Sequence, residues 1–401
     1  MKPKLRAIWD AGVAAADPAG AVTRALPDLE FGDPAHLSVV AVGKAAPRMI
    51  APVLEAVTPK QALIVTHREN VFDDLGVPVM RAGHPVPDPE GEAAANAILE
   101  MAEGLGKDDH LLILISGGAS AMLPAPAKGL TLDDKVRVTK ALLASGAPIE
   151  VMNLVRQQLS RIKGGGLAIA ADPARVTALV LSDVIGDDLR AVASGPTLAP
   201  LGTPEDAVQA LRGYFCYGKV SQEVRNHLRE APKKRDVPET DTRIIGSNDV
   251  SVATMKEQAP EAKVLTPPLT EDVKDAVERL AKLPSGLWLI GGECTVQVKG
   301  KGMGGRNQEL ALRLAMKAEE EGWPAGWTYI QGGTDGRDGP TDAAGAVVNG
   351  QTLKKMRAAG VDPAAALKNN DSYHALKAAG DLLMTGATGT NVADLGVLYR
   401  P

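Results

Sequence analysis

The chain has 401 residues, 45% of them hydrophobic and 23% charged, with a formal net charge of −5. That length accommodates two ordinary domains and a sizeable core. A mildly acidic chain with 3% aromatic residues offers neither a basic stripe for phosphates nor stacking platforms for bases, which excludes nucleic acid as the main partner.

The longest basic run is "KKR" at 233–235, and the longest aliphatic block, "LLILI" at 111–115, has the length of a strand and not of a membrane span. "MKPKLRAIWDAGVAAADP" is charged throughout and lacks the apolar centre of a signal peptide. Cys216 and Cys294 are too far apart in sequence to form a metal or disulfide pattern. The expectation is a cytoplasmic protein with reduced thiols and no membrane partner. A homodimer is left open.

In chain order, "HLSVVAVG" (36–43) reads as a strand and "KAAPRMIAPVLEAV" as a helix, with a further strand at "QALIVT" (61–66). "GEAAANAILEMAEGL" (91–105) reads as a helix and "HLLILISGG" (110–118) as a buried strand. "TLDDKVRVTKALLAS" (131–145) opens with Thr131 and Asp134, a capping-box pair. "RVTALVLSD" (175–183) is again strand-like. Strands alternating with helices predict a parallel sheet covered on both faces.

The charged, proline-bearing stretch 229–243 reads as a linker or exposed crossover, which divides the chain into domains at 1–235 and 236–401. Beyond it, "RIIGSND" (243–249), "GLWLIGG" (286–292) and "WTYIQGG" (327–333) resemble parallel-sheet strands, followed at the end by "LGVLYR" (395–400). "LWLIGGECTVQVKG" reads also as two neighbouring strands joined by a turn, the second at 294–300, so a mixed second sheet is expected. The fold class is therefore α/β, with two three-layered α/β/α domains.

Many strands end in glycine or polar clusters, and in open α/β sheets ligands bind outside the carboxyl ends of the strands. In "VGKAAPRM" and "GGRNQE" a cation, Lys44 or Arg306, stands where a helix begins. The helix dipole disfavours a cation there by about 0.3–1 kcal/mol unless an anion is present, and the exposed N–H groups at that end are donors for one. "ISGGASAMLPAP" (115–126) offers Ser116, Gly117, Gly118 and Ser120 to a further anion. It is no nucleophile elbow, since the second glycine of G-x-S-x-G is missing around Ser120, and no P-loop occurs in the chain.

Asp183, Asp187 and Asp188 follow one strand, while Asp335, Asp338 and Asp342 lie in "GGTDGRDGPTDAAGA". One or two such carboxylates, with phosphate oxygens, suit Mg2+. The six histidines show no metal spacing, and His84 in "GHPVPD" is read as a loop former.

Gly300, Gly302 and Gly305 spell the G-x-G-x-x-G of a dinucleotide turn. The surroundings disagree, because the position about 20 residues on is a helix end, "AEEEG", where an acidic residue at a strand end is required.

Taken together, "VGKAAPRM", "GHPVPD", "LISGGASAML", "LSRIKGGGLA", "VLSDVIGDDL", "ASGPT", "GMGGRNQELAL", "GGTDGRDGPTDAAGA" and "TGATGTNVADL" resemble the class II glycerate kinases, the glycerate 2-kinase family whose C-terminal portion is the MOFRL domain. The match runs in order from about residue 38 to the C-terminus. The resemblance implies two α/β domains with an active-site cleft between them. It also implies ATP-dependent phosphorylation of D-glycerate at the 2-hydroxyl with Mg2+ or another divalent metal.

On this resemblance Lys44 and Arg306 are expected to be catalytic and to converge on the transferring phosphoryl group, with Asp183 as metal ligand or orienting group. The expected binding set is Ser116, Gly117, Gly118, Ser120, Asn248, Gly304, Gly305, Asn307, Glu309, Asp335, Thr390 and Asn391, and the expected metal ligands are Asp183, Asp188 and Asp335. The alternative is an NAD(P)H-dependent hydroxypyruvate reductase, a name the family also carries. A non-catalytic sensor would leave the paired cations and acidic clusters without a role.

Overall fold

The computed structural model describes residues 1–232 and 235–401, so Lys233 and Lys234 of the basic run lie outside the described residues. The chain forms two compact units: Pro18–Ser182 with Asp187–Ile245, and Met1–Asp17 with Asp183–Gly186 and Gly246–Pro401.

The first unit is built on β1 (Leu37–Val42), β2 (Gln61–His67), β3 (Val79–Ala82), β4 (His110–Ile115), β5 (Arg175–Leu181) and β6 (Asp241–Gly246), in the order β3-β2-β1-β4-β5-β6. The pairings from β3 to β5 are all parallel. Every residue of β1 and β4 is buried, which is why these strands read as continuous aliphatic runs and not as alternation. The helix Leu132–Ala144 starts with the expected capping box: Thr131 accepts from the Asp134 N–H, and Asp134 accepts from the Thr131 N–H. A cluster of buried residues including Val138, Leu142, Val155 and Leu211 packs the helices of this unit.

The predicted strand at 243–249 is β6, and it belongs to this first sheet. The stretch 229–243 thus joins the helix Gln222–Glu230 to β6, and its described residues are anchored. Arg235 donates to the carbonyls of Lys163 (2.8 Å), Ser160 (3.1 Å) and Gln157 (3.3 Å).

The second unit holds β7 (Lys263–Val264), β8 (Gly286–Gly292), β9 (Thr328–Gly333), β10 (Gly345–Asn349), β11 (Leu382–Leu383) and β12 (Asp394–Arg400), ordered β11-β10-β9-β12-β8-β7. This sheet is mixed, as expected, but two strands differ from their reading as parallel. β9 is antiparallel to both neighbours, and β8 is parallel to β7 but antiparallel to β12. A fully buried strand carries the same aliphatic signature in either direction, so composition cannot give orientation. Residues 294–300 form no strand, and only Thr295 makes an isolated bridge, to Asp272.

The helix Lys2–Ala15 packs in this unit. Trp9 is 1% exposed and its indole N–H donates to Leu395 O on β12 at 3.0 Å. Among the described residues no helix is long and apolar enough to cross a membrane.

Candidate active site

In the first unit the chain leaves β1 for β2 on one side and returns to β4 on the other. The carboxyl ends of β1 and β4 therefore flank a topological switch point, where open α/β sheets bind ligands. Two of the predicted clusters meet there. The Lys44 N–H donates to Gly117 O (2.9 Å), and the Ala45 N–H donates to Ser116 Oγ (3.1 Å) at the start of the helix Ala46–Ala56. A Cβ on Gly43 would overlap Ser116, so glycine is needed for this approach. Thr66 and Asn70 hold the other side, donating to Gly43 O (3.0 Å) and Lys44 O (2.8 Å).

The Lys44 side chain is exposed, and its ammonium has no hydrogen-bond or ion-pair partner among the described residues. The N–H groups of Gly117 and Gly118 likewise have no acceptor there. A cation and two free amides around a helix start form an anion-binding surface. Ser116 is 2% exposed, and its hydroxyl accepts from the Ala45 N–H beside the helix start. Ser120 Oγ accepts from Lys163 Nζ (3.0 Å) and lies 3.0 Å from Ser194 Oγ.

Two histidines belong to this point, and the sequence reading missed their role. His67 ends β2, and its buried Nδ1 has no hydrogen-bond partner among the described residues. His84 lies against Gly118, where a Cβ would be 3.0 Å from its ring. Burial pushes both imidazoles below their ordinary pKa, and the Lys44 charge pushes them further. Both are therefore neutral at neutral pH. His67 carried a usable signal, since it ends a strand just as the Ser-Gly-Gly loop does.

In the second unit Arg306 opens the helix Arg306–Glu320, but its countercharge comes from the protein. Nε and Nη2 donate to Asp394 (2.6 and 3.0 Å), and Nη1 pairs with Glu293 (2.8 Å). The first helical amides are also occupied: Asn307 N–H and Gln308 N–H donate to Asp338 Oδ1 (3.1 Å) and Oδ2 (2.7 Å). Burial pushes the Asp338 carboxyl up to about 7. Burial also raises Glu293, with Arg306 opposing and the charges of Asp394 and Asp183 adding to the rise. Asp183 is thus near enough to Glu293 for their charges to be felt.

The glycine turn closes on the chain itself. A Cβ on Gly300 or Gly302 would overlap Asn369 or Asp371, and one on Gly304 or Gly305 would overlap Ser372 or Asp338. The amides of Gly300 and Lys301 donate to Asn370 Oδ1 (2.9 Å) and Asn369 Oδ1 (3.0 Å). These glycines admit protein, which leaves the dinucleotide reading of the motif without support.

Several other expected binding residues are committed to internal bonds. Asn307 contacts Asp338, Asp394 and Gln331, and Asn248 donates to Val392 O (2.8 Å) and Asp394 O (2.9 Å). Glu309 pairs with Arg313 (2.7 Å) and accepts from Asn370 (3.0 Å), while Thr390 donates to Ala16 O (2.5 Å). Asn391 is exposed, its Oδ1 accepting from the Ala393 N–H (3.1 Å). Asp335 accepts from the Arg337 N–H (2.9 Å), and both oxygens of Asp188 are taken by Arg190. Among the described residues no group of three or more His, Cys, Asp or Glu side chains is arranged to hold a metal, so Asp183, Asp188 and Asp335 form no preassembled centre.

Residues 4–229 match a domain of unknown function, DUF4147, and residues 286–394 match the MOFRL family. A D-glycerate 2-kinase of Thermotoga maritima is 41% identical, covering 94% of this chain and 93% of that protein. A relative from Agrobacterium vitis, 39% identical over 98% of this chain and 92% of its own, carries a provisional hydroxypyruvate reductase name. The crystal structure of the Thermotoga maritima glycerate kinase superposes with a TM-score of 0.92 at 37% identity, covering 100% of this chain and 99% of that one. With two matched domains in order and full-length likeness to such enzymes, the chain belongs to the glycerate 2-kinase family.

Proposed function

We propose that this protein transfers the γ-phosphoryl group of ATP to the 2-hydroxyl of D-glycerate, giving 2-phosphoglycerate. The observation that carries this reading is the unpartnered Lys44 ammonium beside the free amides of Gly117 and Gly118, at the switch point of a parallel sheet. The names of the relatives supply the substrate class.

Phosphoryl transfer needs positioning and charge neutralisation more than covalent chemistry. Lys44 offsets charge on the transferring group, and the two glycine amides hold an anionic oxygen of phosphate or carboxylate. The neutral imidazoles of His67 and His84 are able to accept the proton of the attacking hydroxyl, which a charged imidazole cannot do. Arg306, singled out beside Lys44 by the family resemblance, has its orientation fixed by a bidentate seat on Asp394.

A divalent ion arriving with ATP would be ligated mainly by phosphate oxygens and water, with Asp183 as the carboxylate offered. It would neutralise phosphate charge.

Incubation with ATP, Mg2+ and D-glycerate, with the product isomer identified by phosphorus NMR, tests the proposal. NAD(P)H oxidation with hydroxypyruvate and no ATP consumption would overturn it in favour of the reductase.

A further inference from the structure

Beyond the switch-point loops, the first unit contains a cavity of about 250 Å3 bordered by Pro85 and Ser120. Four cations line it: the exposed Lys140 and the more enclosed Lys135, Arg156 and Lys163. Lys135 and Lys163 are only 8% and 2% exposed, and neutral oxygens alone hold their ammonium groups. Lys135 Nζ donates to Leu159 O (3.0 Å), and Lys163 Nζ donates to Ser120 O (2.8 Å) and Oγ (3.0 Å). The Arg156 guanidinium has no hydrogen-bond or ion-pair partner among the described residues.

Burial drives both lysines well below their ordinary pKa, and neighbouring cations push further: Arg156 and Arg235 on Lys135, Arg156 and Lys135 on Lys163. Glu92 opposes this only weakly, and for Lys135 alone. Buried cations are ordinarily paired, because desolvation costs several kcal/mol per ion. Here like charges share one cavity wall, and among the described residues no carboxylate pairs with Lys135, Arg156 or Lys163. An anion placed in the cavity would favour their charged forms.

The exposed part of the lining also carries apolar side chains. Val86 and Leu143 line the same cavity and are 60% and 58% exposed, large for aliphatic side chains. A ligand satisfying both parts carries several negative charges and an apolar body. Ser120 joins the cavity to the Ser-Gly-Gly loop through its bonds to Lys163.

We propose that this cavity seats a nucleoside di- or triphosphate, with its phosphates on Lys135, Arg156 and Lys163 and its base against Val86 and Leu143. The identification of the ligand as the phosphoryl donor rests on the kinase reading, whereas the preference for a phosphate-bearing ligand does not.

Calorimetric titration of the full chain with ADP and with inorganic pyrophosphate tests this, using wild type, Arg156→Gln and Leu143→Ser. Neither variant empties the core, and circular dichroism checks their folding. Arg156→Gln is expected to weaken both probes at least tenfold, and Leu143→Ser to weaken ADP several-fold while sparing pyrophosphate. ADP binding unchanged in both variants overturns the proposal, as does pyrophosphate binding as tightly as ADP with Leu143→Ser affecting neither.

Steady-state kinetics separate this proposal from the kinase reading. A raised KM for ATP with an unchanged KM for D-glycerate in Arg156→Gln supports the cavity as donor site. The reverse pattern overturns the cavity and leaves the kinase intact. An inactive wild type whose ADP binding is still weakened by Arg156→Gln sinks the kinase reading and supports the cavity.

Discussion

Lys44 and Arg306 carry the same sequence signal, a cation at a helix start after glycine, yet their surroundings are opposite. Lys44 is exposed, without a partner, beside amides that have no acceptor. Arg306 is closed on Asp394 and Glu293, and Asp338 already caps its helix. A cation at a helix start therefore requires an anion, as the dipole argument says, but does not say whose. In one unit the protein supplies it, and in the other the place is left for a ligand.

The largest expected effect breaks the comparison on the open side. Lys44→Ala should lower kcat by about a hundredfold or more, the loss typical of removing a preorganised charge. Its melting temperature should stay near that of wild type, since no protein contact of the ammonium is lost. In the inactive but folded Lys44→Met, NMR titration should show His67 and His84 protonating at higher pH than in wild type, because a positive neighbour is gone. Wild-type turnover in Lys44→Ala would refute the assignment.

Arg306→Met, on the closed side, should lose stability as well as activity. Asp394 is 2% exposed and would keep a buried carboxylate with its main partner removed. Breaking a buried pair in this way costs about 3 kcal/mol, readable in urea unfolding. A fully stable, inactive Arg306→Met would mean that Asp394 does not depend on the pair, and the contrast with Lys44 would vanish.

The difference between the two sides explains how far the sequence could be read. The parallel sheet was legible because β1 and β4 are buried on all six positions and end in glycine or polar residues. The antiparallel pairing of β9 was not, since strand direction is set by long-range partners. The helix Lys2–Ala15 gave no sign of packing on β12, because that contact joins Trp9 to Leu395 across almost the whole chain. At the site, Lys44 and the Ser-Gly-Gly loop stood out by residue type. Asn248, Asn307 and Glu309 have the same functional chemistry, but only the structure exposes their internal partners. The G-x-G-x-x-G turn misled for that reason: a motif records that backbone must come close, and Asn369–Ser372 is what comes close.

A smaller effect probes how the closed helix start is held. The Asp338 carboxyl is raised to about 7 by burial, from an unfolded value near the usual ~3.9. The folded state then binds this proton more tightly than the unfolded one, so the stability it contributes is full at low pH and falls as pH rises through about 7. Asp338→Asn, which cannot ionise, should lose that dependence. The stability of wild type relative to Asp338→Asn should decline from about pH 4 to pH 7 in parallel urea series. A difference independent of pH would show that the two helix amides outweigh burial and keep Asp338 ionised.

The smallest effect is expected at Asp188, where the sequence suggested a metal ligand. Arg190 takes both of its oxygens, at 3.0 and 2.9 Å, and the pair is exposed to solvent. Exposed pairs are worth about 0–1 kcal/mol, so Asp188→Asn should shift stability by less than about 1 kcal/mol. If the Arg190 pair is the whole role of Asp188, the metal concentration giving half-maximal activity should not move in the same variant. A several-fold rise would return Asp188 to the metal. It would also mean that Arg190 releases the carboxylate during turnover, making an ion pair closed at rest an open one in the working enzyme.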